Sequence, residues 1–217
     1  MVREMPARRP LSLNRHDAVR LLERGAVEAA RKLLGWRIIR RLPSGETLDT
    51  RIVEIEAYPP GDPASHAYRG RTGRNGVMFN RPGAAYVYRI YGMYWCLNVV
   101  TGDEGIGEAV LIRGLDGVDG CDGPGKLCRR LEITGDDDGT DLLDTRSSIR
   151  LCRPKRLLRH PIVTTTRIGI SKATDERLRF YIAGSPGVSR RDRMAERVKS
   201  KEVSSDRLAG RQSTRYR

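Results

Sequence analysis

The stretch that most restricts how this chain can fold runs from Ala84 to Val100: Ala-Ala-Tyr-Val-Tyr-Arg-Ile-Tyr-Gly-Met-Tyr-Trp-Cys-Leu-Asn-Val-Val. The sequence contains 8 Tyr, 2 Trp and 2 Phe, and five of these twelve aromatics (Tyr86, Tyr88, Tyr91, Tyr94 and Trp95) fall in this window. Two β-rich runs flank Tyr91-Gly92, where glycine supplies the positive φ of a tight turn. Alternation places Tyr86, Tyr88 and Ile90 on one face of the first strand, with Val87, Arg89 and Tyr91 on the other. Such a hairpin serves equally as a core ribbon or as a functional aromatic platform, because strand aromatics also simply pack.

Charge distribution narrows the choice of partner. The net charge is +14, from 41 Lys/Arg against 27 Asp/Glu. Met1 to Arg41 holds 11 basic and 4 acidic residues, and Arg190 to Arg217 holds 10 and 4, which leaves the middle near neutral. Basic ends on a neutral body point to a polyanion, most simply nucleic acid, unless they are solvated tails. No apolar run reaches the ~20 residues of a membrane helix, and the N-terminus lacks a signal peptide's apolar stretch. The expectation is a cytosolic protein, nuclear in a eukaryote and not secreted. Cys96, Cys121, Cys128 and Cys152 lack CxxC pairing and suitably placed histidines, which argues against a zinc site or a disulfide framework.

Read in order, Asp17 to Leu34 has helical spacing with a break at Gly25. Trp36 to Leu42 and Thr47 to Tyr58 form strands around a turn at Pro43-Ser44-Gly45-Glu46. The second of these ends with Val53, Ile55 and Ala57 on one face, and Glu54, Glu56 and Tyr58 on the other. A long loop from Pro59 to Gly83 carries His66, and loops of this length are usually functional or disordered. Glu108 to Leu115 reads as a strand bearing Arg113, and Gly123 to Arg130 as a loop opening a short helix. Asp136 to Asp141 reads as a solvated acidic turn. Further strands are expected around 148–151, 167–170 and 178–182. From Arg190 onward the chain is charged and poor in large apolar residues.

The chain has no complete GxxxxGK[ST] phosphate loop, since Leu127 follows Gly120 to Lys126, no GxGxxG opening a helix, no HExxH and no GxSxG. What remains is a polar and aromatic set on adjoining strands: Glu56, Tyr58, Tyr88, Asn98 and Arg113, with His66 on the intervening loop. A carboxylate between aromatic walls suits general-base activation of water beside a planar substrate. Each residue also has a plainer reading: Glu56 pairing with Arg113, His66 solvated, and Asn98 holding an edge strand.

Several segments occur in one order: Ile52-Val-Glu-Ile-Glu-Ala-Tyr58, Asp62-Pro-Ala-Ser-His-Ala-Tyr68, Arg74-Asn-Gly-Val-Met-Phe79, Pro82-Gly83, Tyr86-Val-Tyr88, Tyr91-Gly-Met-Tyr94 and Cys96-Leu-Asn98. Together with Ala109-Val-Leu-Ile-Arg113 and Gly123-Pro-Gly-Lys-Leu127, they resemble the alkyladenine (3-methyladenine) DNA glycosylase family. The resemblance runs from about Asp17 to Arg190. It implies an α+β fold, a single mixed domain around a curved, mainly antiparallel sheet with flanking helices and a protruding aromatic hairpin. Positions 1–16 then form a basic arm, 17–190 the glycosylase domain and 191–217 a flexible basic tail.

The implied activity is hydrolysis of the N-glycosidic bond of alkylated or deaminated purines in duplex DNA, by a monomer needing no metal or cofactor. By the same resemblance, Glu56 deprotonates the attacking water and Arg113 helps hold it. Tyr58, His66 and Tyr88 enclose the flipped base, Asn98 guards the pocket floor, and Tyr91 is the wedge in the vacated stack. Tyr94 departs from the pattern, standing where bacterial members often carry His, and the tail after Arg190 lies outside it. The rival reading is a non-catalytic binder that stacks bases on its tyrosines. That reading leaves Glu56 unexplained, since a carboxylate weakens a polyanion-binding face.

Overall fold

Strand β2 is the axis of the molecule, and its burial changes along its length. The computed structural model describes residues 15–154 and 160–197. Strand β2 (Thr47–Tyr58) alternates exposed and buried side chains over its first half, then is buried continuously from Ile52 to Ala57. A strand loses its alternation when both faces are covered, and β2 has neighbours to match. One edge pairs with β5 (Ala109–Asp116). The other pairs first with β1 (Arg37–Arg41) and then, at Glu54 to Glu56, with β8 (Arg179–Ile182).

The sheet order is β3-β4-β5-β2-β1-β6, with β7 joined through β8, and every pairing is antiparallel. Here β3 is Ala85–Ile90, β4 Tyr94–Val100, β6 Ile149–Cys152 and β7 Ile162–Thr165. The molecule is therefore α+β with a mainly antiparallel sheet. Helix α1 (Arg15–Leu22) and helix α2 (Ala26–Leu33) are separated at Gly25, whose φ of 88° suits glycine. The Glu108 carboxylate accepts a 2.6 Å bond from the Ala26 amide at the start of α2. Leu22, Leu33, Trp36, Val53, Ile55, Ala57 and Phe180 belong to the main core, so Val53, Ile55 and Ala57 form its face of β2. Helix α3 (Pro124–Arg130) packs on β4 and β5.

A second, smaller cluster lies over β3 to β5. Met78, Tyr86, Val100 and Ala109 are buried there, with Val77 and Phe79 packed against them. It anchors the long 59–83 loop, which carries a 3₁₀ turn at Gly76–Phe79. The Asn75 side chain closes the same loop, donating to the carbonyls of His66 (2.8 Å) and Gly70 (3.0 Å) and accepting from the Thr72 amide (2.6 Å).

Two local expectations are corrected. Residues 167–170 are not a strand; β7 ends at Thr165, and the following backbone turns to meet Glu56. Nor is the 136–141 turn simply solvated. Asp137 is buried against Arg40 at 2.6 Å, and Asp138 accepts from the Val87 amide at 2.8 Å, so two of its acids tie the turn to β1 and β3. The hairpin turn has three residues, Tyr91 to Met93, because Ile90 pairs with Tyr94.

Residues 191–197 lie against the body. The Asp192 amide donates to Tyr181 Oη at 2.9 Å, and Ala195 packs on the core. Positions 1–14 of the expected N-terminal arm, and the whole of the tail beyond 197, fall outside the described residues. Among the described residues no helix is long and apolar enough to cross a membrane.

Candidate active site

Pairing registers set the site out in rows. Tyr86 stands opposite Asn98, Asn98 opposite Leu111, and Leu111 opposite Glu56. Directly opposed residues point to the same face, so these four side chains cross the sheet in one line. The adjoining rows hold Tyr88 opposite Cys96, and Tyr58 opposite Ala109. Tyr88 and Asn98 are therefore diagonal neighbours on one face, and each has another residue directly across from it.

Arg113 lies two residues beyond Leu111 and so shares this face, where it sits in a bulge. Glu54 pairs with Gly114 and Ile55 with Ile112, which leaves Arg113 as the extra residue. Arg113 Nε donates to Glu54 Oε1 and Nη1 to Glu56 Oε2, both at 3.3 Å. No side chain fits at the adjacent Gly114, since a Cβ there would lie 2.1 Å from the Gly187 carbonyl oxygen.

Above these rows opens a cavity of about 690 Å³, whose lining includes Tyr58, His66, Tyr88, Tyr91, Asn98 and Arg113. Six of the seven residues singled out in the sequence thus surround one space. Glu56 does not line it. The carboxylate lies behind the wall with no exposed surface, and the groups it binds do line the cavity. Tyr58 Oη donates to Oε2 at 3.0 Å, the Ile168 amide donates to Oε1 at 2.8 Å, and Arg113 makes the long contact already described.

The electrostatics of this group are asymmetric. Burial raises the Glu56 pKa, and Arg113, the Ile168 amide and the Tyr58 hydroxyl offset that only in part. Burial also works against the Arg113 charge, but there Glu56 and Glu54 prevail and its pKa is raised. The difference follows from partner number. Arg113 lies between two carboxylates, whereas Glu56 meets a single guanidinium at 3.3 Å.

His66 presents part of its ring to solvent, yet crowding by its surroundings, aided by the Arg74 charge, lowers its pKa and favours neutral imidazole. Its Nδ1 lies 2.9 Å from Tyr86 Oη, and its ring meets the Tyr88 ring edge-on at 4.5 Å. Burial, above all, pushes the Tyr86 hydroxyl up to about 12 and raises Tyr58 and Tyr88 as well, so all three keep their protons. Asn98 is buried, and its Nδ2 donates to the Tyr86 carbonyl at 2.9 Å. Tyr91 stands at the rim, 81% exposed, with φ at 51°. That left-handed geometry is unusual for a bulky side chain.

Sequence reasoning missed several parts. Tyr86 belongs to the same alternating set as Tyr88 and could have been chosen with it. The Ile168 amide is a backbone group on an irregular segment, and no side-chain pattern announces it. Asp62 and Arg167, 105 residues apart, form a buried ion pair that only the fold brings together. Among the described residues, no three His, Cys, Asp or Glu side chains cluster as metal ligands would.

Comparison with known proteins gives a consistent result. A family model described as methylpurine-DNA glycosylase matches residues 20–186. A relative from Methanoculleus marisnigri is 50% identical over 186 residues, covering 78% of this chain and 96% of its own. One from Synechococcus elongatus is 47% identical over 180 residues, covering 81% and 92%. A third, from Francisella tularensis, is 42% identical over 196 residues, covering 82% and 100%. Each bears the provisional name 3-methyladenine DNA glycosylase.

Proposed function

Since the chain belongs to the methylpurine-DNA glycosylase family, and so is a DNA glycosylase that hydrolyses N-glycosyl bonds, we propose that it removes alkylated or deaminated purines from duplex DNA with Glu56 as general base. The observation that carries this reading is the convergence of three donors from the cavity wall on one fully buried carboxylate.

The damaged nucleotide turns out of the helix into the cavity, where Tyr58, His66 and Tyr88 enclose the base. Tyr91, exposed at the hairpin turn, fills the space left in the stack. Asn98, on the cavity floor, opposes the exocyclic N2 amine of normal guanine. Cleavage develops positive charge on the sugar and negative charge on the departing base. A purine alkylated at N3 or N7 is already cationic and leaves readily. Hypoxanthine needs more help, which neutral His66, held by Tyr86, supplies as a hydrogen bond to the leaving base. Ionised Glu56 contributes both as proton acceptor and as a negative charge beside the cationic transition state. Because the carboxylate is covered, water reaches it by exchanging with the Tyr58 hydroxyl, while Arg113 holds the far side of Oε2.

The decisive measurement is single-turnover excision by Glu56→Gln, with lesion-DNA affinity measured in parallel. General bases contribute about 10²–10⁴-fold, so excision should fall by that much while binding stays close to the parent's. Excision within about tenfold of the parent would remove Glu56 from the chemistry.

A further inference from the structure

Tyr58 has a second neighbour that the proposed chemistry leaves unused. The Cζ of Arg167 lies 4.6 Å from the centre of the Tyr58 ring, and Arg167 is not among the residues lining the cavity. The guanidinium therefore backs one face of the ring and leaves the other to the cavity. Its side chain is wholly buried. Both terminal nitrogens hold Asp62, Nη2 at 3.0 Å, and Nη1 also donates to the Ala57 carbonyl oxygen at 3.0 Å. Among the described residues, Nε meets no acceptor. Asp62 in turn accepts from the Ala64 amide at 2.9 Å, at the start of the loop that carries His66.

A clamp between two loops needs no contact with an aromatic ring that faces the cavity. The contact has an electrostatic effect of its own. An aromatic face attracts cations through its quadrupole, and a cation fixed on one face opposes a second cation on the other. The ion pair is neutral as a whole, but the member set against the ring is the cation. Low polarity around a buried pair lets such a difference be felt across a ring.

We propose that the Arg167–Asp62 pair determines specificity through Tyr58, biasing the cavity toward neutral damaged purines and against cationic ones. The proposal rests on reading the cavity as a base pocket. Two effects act in the same direction. A cationic alkylpurine brings positive charge toward Arg167 when it enters. A neutral purine leaves with negative charge, which Arg167 favours. Neither residue touches the base.

The test compares kcat/KM for hypoxanthine and for 7-methylguanine in otherwise identical duplex oligonucleotides, slightly below pH 7. Asp62→Asn leaves the guanidinium uncompensated and should raise the hypoxanthine-to-7-methylguanine ratio about tenfold, equivalent to ~1.4 kcal/mol. The double variant Asp62→Asn with Arg167→Gln removes both charges and should move the ratio the other way, below the parent's. A purely structural pair would reduce both substrates equally and leave the ratio alone. Ratios within about twofold of the parent's, a difference well under 1 kcal/mol, in each variant that melts cooperatively would overturn the proposal. If Asp62→Asn does not fold, the double variant decides alone. A parent that excises neither base refutes the pocket reading itself, a result distinct from an active parent whose ratio does not move.

Discussion

Glu54 and Glu56 stand two residues apart on one strand, point to one face, and are both fully buried, yet their surroundings differ in kind. Glu54 is saturated. It accepts from Arg179 at 2.6 Å, from the Ser189 amide at 2.6 Å, from the Ser189 hydroxyl at 2.9 Å and from Arg113 at 3.3 Å. Two guanidinium groups and Ser189 surround it, and it does not line the cavity. Glu56 shares Arg113 but otherwise has one hydroxyl and one amide, each borne by a residue of the cavity wall. A buried carboxylate with full compensation is part of the framework, and one with partial compensation is held ready to accept a proton. Arg113 joins the two carboxylates and itself lines the cavity.

The largest expected difference is in stability. Glu54→Gln leaves Arg113 and Arg179 facing an amide, and breaking a buried charge cluster costs ~3–5 kcal/mol, measurable by urea unfolding. Glu56→Gln should cost less than about half of that, because desolvation already penalises its charge. Equal losses would break the comparison.

A smaller effect at Glu56 depends on pH. Burial raises the folded-state Glu56 pKa above the ~4.3 of an unfolded chain. The folded state therefore holds that proton more tightly, and its contribution to stability is complete below the unfolded value and lost as pH rises through the folded one. Stability of Glu56→Gln relative to the parent should accordingly improve between acidic and neutral pH. A flat difference would mean that the Glu56 charge is fully compensated.

The smallest expected effect belongs to Ser189→Ala, which removes one of four donors to Glu54. It should cost about 1 kcal/mol of stability and leave the excision rate unchanged. A slower reaction would show that Glu54 is not merely framework.

The strand pattern was legible because alternation is a local property. Thr47 to Tyr58 could be read residue by residue, and the cavity face of β3 followed from Tyr86 and Tyr88. The long loop could be seen but not its internal order, since Asn75 organises it by bonding backbone groups that carry no residue code. The pairing of Asp137 with Arg40 was hidden by a sequence separation of 97. For the same reason the acids at 136–138 read as a solvated turn. Arg113 was identified, though not the bulge it sits in, because a bulge is a property of two strands together.

The Ile168 amide that binds Glu56 lies 112 residues further along the chain, and this has a consequence for synthesis. Closing contacts of such separation comes late, after local hairpins such as β3–β4 have paired. A nascent chain that ends before Ile168 holds Glu56 without that amide and without Arg167 behind Tyr58. On the proposed reading of Glu56, hydrolytic competence therefore waits until β8 has been made and docks beside Glu54 and Glu56.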